Sequence, residues 1–148
     1  MTFLLKTIAA GAVLAMGVAM PALGAPLSMA ITGDTVLSGK CVQANQFKHN
    51  DAIVFRARVL DIATGEDMTG DALTSVVAEL PNGTSVPLKF GEHPPGQPSQ
   101  SFWSGVWGVP ADFPTGTLGY KIVATNKSGA TATYEPFKVV PSQLTIVE

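Results

Sequence analysis

The sequence predicts an all-β protein, an antiparallel β-sandwich of about seven or eight short strands, and two observations point to this fold class. Glycine and proline make up 15 and 11 of the 148 residues, and they interrupt the chain too often for long helices. The segments between them are rich in β-branched residues and alternate between apolar and polar side chains, which is typical of half-buried strands. The chain contains one cysteine, so no internal disulfide can form and packing alone must hold the core.

Eight segments are predicted to be strands: residues 34–42, 53–60, 74–80, 85–90, 102–109, 117–125, 130–140 and 144–147. The clearest is 53–60, in which Phe55 lies on the apolar face while Arg56 and Arg58 lie on the other. We expect these arginines on a solvated face of the sheet, paired with acids such as Glu79.

Turns and breaks define how these strands connect. Pro81-Asn82-Gly83 predicts a hairpin turn, because Asn and Gly tolerate positive φ. Pro87 has no backbone donor, which places the strand that contains it, residues 85–90, at a sheet edge. Residues 91–101 are predicted to be a loop, since they contain three prolines. Gly105 removes a side chain and allows a close approach by another backbone or a ring.

Residues 1–24 are predicted to be a cleaved secretory signal. An apolar run over residues 7–20 is followed by small residues, and cleavage after Gly24 is expected, with a later cut after Ala30 left open. The run is shorter than the roughly 20 residues that span a bilayer. The prediction is therefore a signal over 1–24 and a single domain over 25–148, periplasmic or secreted, with no membrane insertion after cleavage.

Three quoted segments carry a family resemblance: IVFRARVLDIATG, AELPNGTSVPLKF and FWSGVWGVPADFPTGTLGYKIVATNKSGATATYEPFKVV. Through them, residues 53–140 resemble an immunoglobulin-like sandwich of the fibronectin type III, macroglobulin-domain or bacterial Ig-like kind. The chain lacks the cysteine pair of antibody-type domains, which excludes that subclass. The resemblance implies a domain that binds, spaces or scaffolds, with Tyr120 as the corner tyrosine of the sandwich.

Composition argues against several function classes. The chain is 14% charged with a net charge of −2, so no basic surface for nucleic acid is expected. It has two histidines, no Gly-x-Ser-x-Gly elbow and no phosphate-binding glycine loop ahead of a helix. We therefore expect no enzyme, no catalytic residues and no cofactor.

A metal or redox accessory role is the alternative hypothesis. Cys41, His49 and His93 are the ligand types that copper or haem iron takes, although their spacing matches no known loop of ligands. Asp61, Glu66, Asp67 and Asp71 place four carboxylates in one segment (residues 61–71), as calcium requires. A solvated loop between strands explains the acids equally well.

Cys41 has three open interpretations. Burial at the start of a strand is expected, because free cysteine is among the most buried residue types. The alternatives are an intermolecular disulfide or attachment to another group, since the predicted compartment is oxidising. An intermolecular disulfide would make Cys41 a covalent tether to the partner.

The function predicted from the sequence is an exported adaptor that binds a partner protein. The expected contact region is the loop 91–101 with His93, Phe102, Trp103 and Trp107, because rigid sandwiches carry recognition on their loops. Burial of at least one tryptophan in the core is the opposing interpretation. An exposed tryptophan pair would instead suit a glycan, so a glycan-binding module is the third hypothesis, but a protein is the expected partner and neither a small molecule nor a glycan is.

Overall fold

The structure is a computed structural model that describes residues 28–96 and 99–148. The predicted signal, residues 1–24, lies outside the described residues. The strands are β1 (Met29–Leu37), β2 (Val42–Gln43), β3 (Gln46–Lys48), β4 (Ala52–Asp61), β5 (Leu73–Glu79), β6 (Ser85–Pro87), β7 (Lys89–His93), β8 (Gln100–Gly108), β9 (Gly116–Leu118), β10 (Lys121–Asn126), β11 (Thr131–Tyr134) and β12 (Leu144–Val147), with one 3₁₀ turn at Val140–Ser142. The described residues contain no helix with the length and apolar character that a membrane crossing requires.

Two antiparallel sheets form a β-sandwich, as predicted. One has the strand order β2-β1-β4-β8-β7 and the other β11-β10-β5-β6. Alternation in β4 confirms the assignment of its faces, because Phe55 is fully buried while Arg56 and Arg58 point outward. The facing sheet contributes the buried residues Val76, Ala78, Ile122 and Ala124.

A third sheet, of order β3-β12-β9, departs from the antiparallel expectation. Its strands β3 and β12 run parallel, with Ile146 paired to Phe47. Parallel neighbours need a long connection between them, and here almost the whole described chain separates the two strands. Both residues of this pair are buried, so the small sheet closes part of the core.

The predicted strand 85–90 is divided between the two main sheets. Residues up to Pro87 form β6, an edge strand as predicted, and β7 begins at Lys89 in the opposite sheet. Between them, Leu88 donates its backbone N–H to the carbonyl of Val76 at 2.8 Å. At this crossing the chain passes close above Gly105, which confirms the predicted role of that glycine. Such divisions raise the number of strands above the expected seven or eight.

Three further boundaries differ from the sequence prediction. The segment 91–101 is not a loop throughout, because β7 extends into it as far as His93 and the antiparallel strand β8 begins within it at Gln100. The first strand begins at Met29 and ends at Leu37, ahead of a turn over residues 38–41. The predicted strand 130–140 ends at Tyr134, since the prolines beyond it cannot donate to a neighbouring strand.

Candidate functional site

Cys41 is exposed, so the expectation of burial is wrong. The residue lies in the turn between β1 and β2 with a φ of 50°. Its thiol is 3.8 Å from the carbonyl oxygen of Ser38, within the same turn. The chain reverses here where a continuous strand was predicted, and the reversal turns the side chain to solvent.

The predicted soft-metal ligands are not assembled into a site. Cys41 lies in the β1–β2 turn, whereas the His49 ring places Nε2 2.8 Å from the carbonyl oxygen of Phe113. His93 is at the end of β7, with its ring 5.2 Å from that of Phe102. Among residues 28–96 and 99–148, no group of three or more His, Cys, Asp or Glu side chains could hold a metal ion.

The acidic segment 61–71 borders a surface depression of about 350 Å³. Its carboxylates are engaged within the protein: Asp61 accepts the backbone N–H of Ala63 at 2.7 Å, and Asp67 accepts two N–H groups of Arg58 at 2.8 and 3.0 Å. Glu66 and Asp71 complete the border as exposed residues. The carboxylates therefore stabilise a turn and a strand rather than converging on one point.

Arg56 and Arg58 pair with acids other than the expected Glu79. Arg56 binds Asp34 on the neighbouring strand, and Arg58 binds Asp67 across the loop. Glu79 lies in the opposite sheet, where it pairs with Lys121 at 3.1 Å. The expectation failed because it assigned both residues to one sheet.

Two of the predicted contact aromatics are buried, Phe102 at 8% and Trp103 at 6% exposure. Trp103 lies on the inner face and donates its indole Nε1–H to the carbonyl of Met68 at 2.9 Å. Phe102 faces outward, but the Arg56 guanidinium covers its ring at 5.5 Å. Trp107 is half-buried against Phe113. The expected exposed aromatic surface is therefore absent at Phe102 and Trp103, and the opposing interpretation of a core tryptophan is confirmed.

Residues 137–140, here called the apolar segment, expose three apolar side chains beside the charged Lys138, and sequence reasoning missed them. Phe137 is 81% exposed, Val139 55% and Val140 76%. The other large apolar side chains exposed in the described part of the chain are scattered: Val42, Ile62 and Val106. The sequence signal was the pair of prolines, Pro136 and Pro141, that brackets the segment and prevents it from joining a sheet.

A cleft of about 410 Å³ lies between β1 and residues 136–142; we call it the β1 cleft. Residues that line it include Asp34, Gln43, Asn45, Tyr134, Phe137 and Ser142. Asn45 donates its Nδ2–H groups to the carbonyl oxygens of Val140 and Pro141, each at 3.1 Å. These two bonds hold the apolar segment beside the connection between β2 and β3.

The electrostatics of the β1 cleft centre on one ion pair. Asp34 accepts the Nε–H of Arg56 at 2.7 Å and a second N–H from the same guanidinium, and this hydrogen bonding raises the pKa of Arg56. Burial raises the pKa of Tyr120 well above its usual value, and the nearby Tyr134 and the Asp34 carboxylate add to the shift. Burial, followed by the charge of Asp34, also raises the pKa of Tyr134. Both phenols therefore stay protonated further into the alkaline range than an ordinary tyrosine.

The fold and this surface define an all-β protein of sandwich architecture with a polar cleft beside an exposed apolar segment. No protein-family model matches the chain, and no match was found among curated proteins. Among solved structures, the chain is similar to a crystal structure of a DUF4426 family protein from Pseudomonas aeruginosa PAO1. The two are 14% identical in sequence with a TM-score of 0.44, and the match covers 78% of this chain and 93% of that chain.

Proposed function

We propose that this protein is an exported, non-catalytic β-sandwich module that binds a partner protein in the periplasm or outside the cell. The observation that carries the proposal is the apolar segment, in which Phe137, Val139 and Val140 are exposed within four consecutive residues. Exposed apolar side chains close together in a folded domain are typical of an interaction site, whereas single exposed apolar residues are ordinary.

The apolar segment is also held in place, which favours binding. The two hydrogen bonds from Asn45 fix the backbone at Val140 and Pro141 before any partner arrives. Binding then loses less conformational freedom than it would with a mobile loop. Transfer of one large apolar side chain from water into a partner's surface contributes about 1.5–3 kcal/mol. Two or three such side chains are enough to anchor a specific interface.

The same proposal includes the subtype of the fold, an immunoglobulin-like sandwich. Two packed antiparallel sheets support it, as does the position of Tyr120 directly before β10. The Tyr120 ring packs against that of Phe55 in the core, with centroids 5.1 Å apart. Domains of this architecture commonly present a binding surface on a rigid scaffold.

The experiment compares three forms of the processed protein as bait in an envelope extract from the source cell: wild type, Val139→Ser/Val140→Ser, and Ile62→Ser/Val106→Ser. The last is a matched control, because its two residues are also exposed and apolar but lie apart from the segment. We expect one protein to bind wild type and control but not the segment variant. Reconstitution with that purified partner should show affinity about tenfold weaker or more for the segment variant.

Equal capture by all three forms, or no capture by wild type, would reject the proposed interface. If the pure protein forms a dimer and the segment variant does not, the occupant of the interface is a second copy of the chain and not a different protein. Running the capture with and without reductant tests whether the exposed Cys41 forms a covalent link to the partner. The mass of the exported protein tests cleavage after Gly24.

A further inference from the structure

We propose that the β1 cleft binds a neutral carbohydrate, with the Phe137 ring stacking on a sugar face and Asp34, Gln43 and Tyr134 forming hydrogen bonds to its hydroxyl groups. This site goes beyond the proposed function, because it takes a small polyhydroxylated ligand and not a protein. It also differs from the glycan hypothesis drawn from the sequence, which relied on an exposed tryptophan pair.

The size of the β1 cleft suits a small ligand. Its volume of about 410 Å³ falls within the roughly 300–1,000 Å³ that is usual for small-molecule sites. Both walls are fixed by backbone structure. One is the strand β1, and the other is the stretch 136–142, which Asn45 holds through two hydrogen bonds. A ligand would therefore meet a preformed surface.

The charge balance of the cleft favours a neutral ligand. Asp34 is the charged side chain that lines it, and Arg56 already neutralises this carboxylate from the neighbouring strand. An anion would be repelled by Asp34, and a cation would compete with Arg56 for the same oxygens. A carboxylate has about four lone-pair sites, so Asp34 can accept further hydrogen bonds from hydroxyl groups while it stays paired.

The remaining polar groups are neutral and both donate and accept, as a ligand rich in hydroxyl groups requires. Gln43 is exposed and presents a carboxamide with two N–H donors and a carbonyl acceptor. The phenol of Tyr134 lines the cleft and is protonated at neutral pH, so its hydroxyl can both donate and accept. Ser142 is a further hydroxyl-bearing residue of the lining.

The apolar part of the cleft matches the second feature of a sugar, its C–H face. Phe137 is 81% exposed, so its ring is accessible for stacking. Pro136 and Pro141 add apolar surface next to it without backbone donors. An exposed aromatic ring and polar side chains that line the same cleft complement a molecule that has one hydrophobic face and a rim of hydroxyl groups.

The test measures binding of purified processed protein to a panel of neutral mono- and disaccharides of glucose, galactose, mannose and N-acetylglucosamine, by calorimetry and by saturation-transfer NMR, with glycerol as the control ligand. We expect at least one sugar to bind with a Kd of about 1 mM or lower. Phe137→Ala, Gln43→Ala and Tyr134→Phe should each weaken this binding, the last by about three- to tenfold through loss of one hydrogen bond. Ile62→Ala, at an exposed apolar residue outside the cleft lining, should leave it unchanged.

The two proposals fail separately. Phe137 belongs to both surfaces, but Val139 and Val140 are outside the cleft lining, so Val139→Ser/Val140→Ser should weaken partner binding about tenfold or more and leave sugar affinity intact. Tyr134→Phe should do the reverse. The carbohydrate site is rejected if no sugar in the panel binds, if binding is indifferent to the three cleft variants, or if only peptides compete for the cleft.

Discussion

A Cβ atom built on Gly105 would lie 2.5 Å from the carbonyl oxygen of Pro87, closer than such atoms approach in real structures. Gly105 is on the inner face of β8, and Pro87 ends β6 in the facing sheet. The missing side chain creates the space through which the chain leaves one sheet and enters the other. The close approach is therefore a condition of the fold.

We expect Gly105→Ala to destabilise the protein by about 3 kcal/mol, at the upper end of the range for overpacking. The obstacle is backbone, which cannot move aside as a flexible side chain would. Urea unfolding followed by tryptophan fluorescence measures the change. Gly91→Ala is the matched control, because a Cβ there meets nothing within 4 Å and glycine is itself unfavourable in a strand. Equal stability of the two variants would contradict the proposed crossing.

Thr35 is the buried polar side chain of the described core, and its Oγ1–H donates to the carbonyl of Ala44 at 2.6 Å. Thr35→Val keeps the shape but removes the donor, so we expect a loss of about 1–3 kcal/mol. Thermal or urea unfolding would detect it. Thr32→Val, at an exposed position of the same strand, should be close to neutral. If both variants unfold alike, the hydrogen bond contributes nothing measurable.

Both tyrosines of the chain, Tyr120 and Tyr134, should resist ionisation in the folded protein. Burial is the main cause of the raised pKa of each phenol, and the Asp34 carboxylate adds to both shifts. Tyrosinate absorbance at about 295 nm should therefore be absent near the ordinary pKa of about 10 and should appear there in urea. A folded protein in which one tyrosine titrates normally would be inconsistent with this structure.

The same shifts make stability depend on alkaline pH. Below a pH of about 10 both phenols are protonated in the folded and unfolded states, so their contribution to stability is fully present. Above that pH the unfolded chain loses protons that the folded protein keeps, and the free energy of unfolding falls. Tyr120→Phe should reduce the slope between pH 9.5 and 11 in a series of urea titrations, roughly in proportion to its share of the two groups. An unchanged slope would assign the effect to other residues.

Cys41 should react with a thiol reagent in the native protein at a rate close to that in urea. Its side chain is exposed in the β1–β2 turn, so access does not require unfolding. Alkylation quenched at a series of times and followed by mass spectrometry gives both rates. Cys41→Ser is expected to change stability little, because the residue is exposed and is not part of the core. Protection of the native thiol would restore the buried interpretation.

Some features of this structure were predictable from neighbouring residues in the sequence, whereas others depend on contacts between distant segments. The alternation of residues 53–60, the turn at Asn82-Gly83 and the edge position of Pro87 were all predictable, because each depends on neighbours in the chain. The contact surface was not. Phe102 and Trp103 belong to the predicted contact region, yet Trp103 lies on the inner face with its indole N–H bonded to the Met68 carbonyl, and Arg56 covers the ring of Phe102.

What the sequence by itself determined is the class of structure: short strands, their inward faces and the turns between them, since strand period and turn geometry are properties of adjacent residues. Only the tertiary structure decided which strands pair, as in the parallel contact of Phe47 with Ile146, and where the chain changes sheet at Leu88. The cleft and the apolar segment depend on the same long-range contacts. Pairing between distant segments is selected by the packing of the whole core, and no local pattern contains that information.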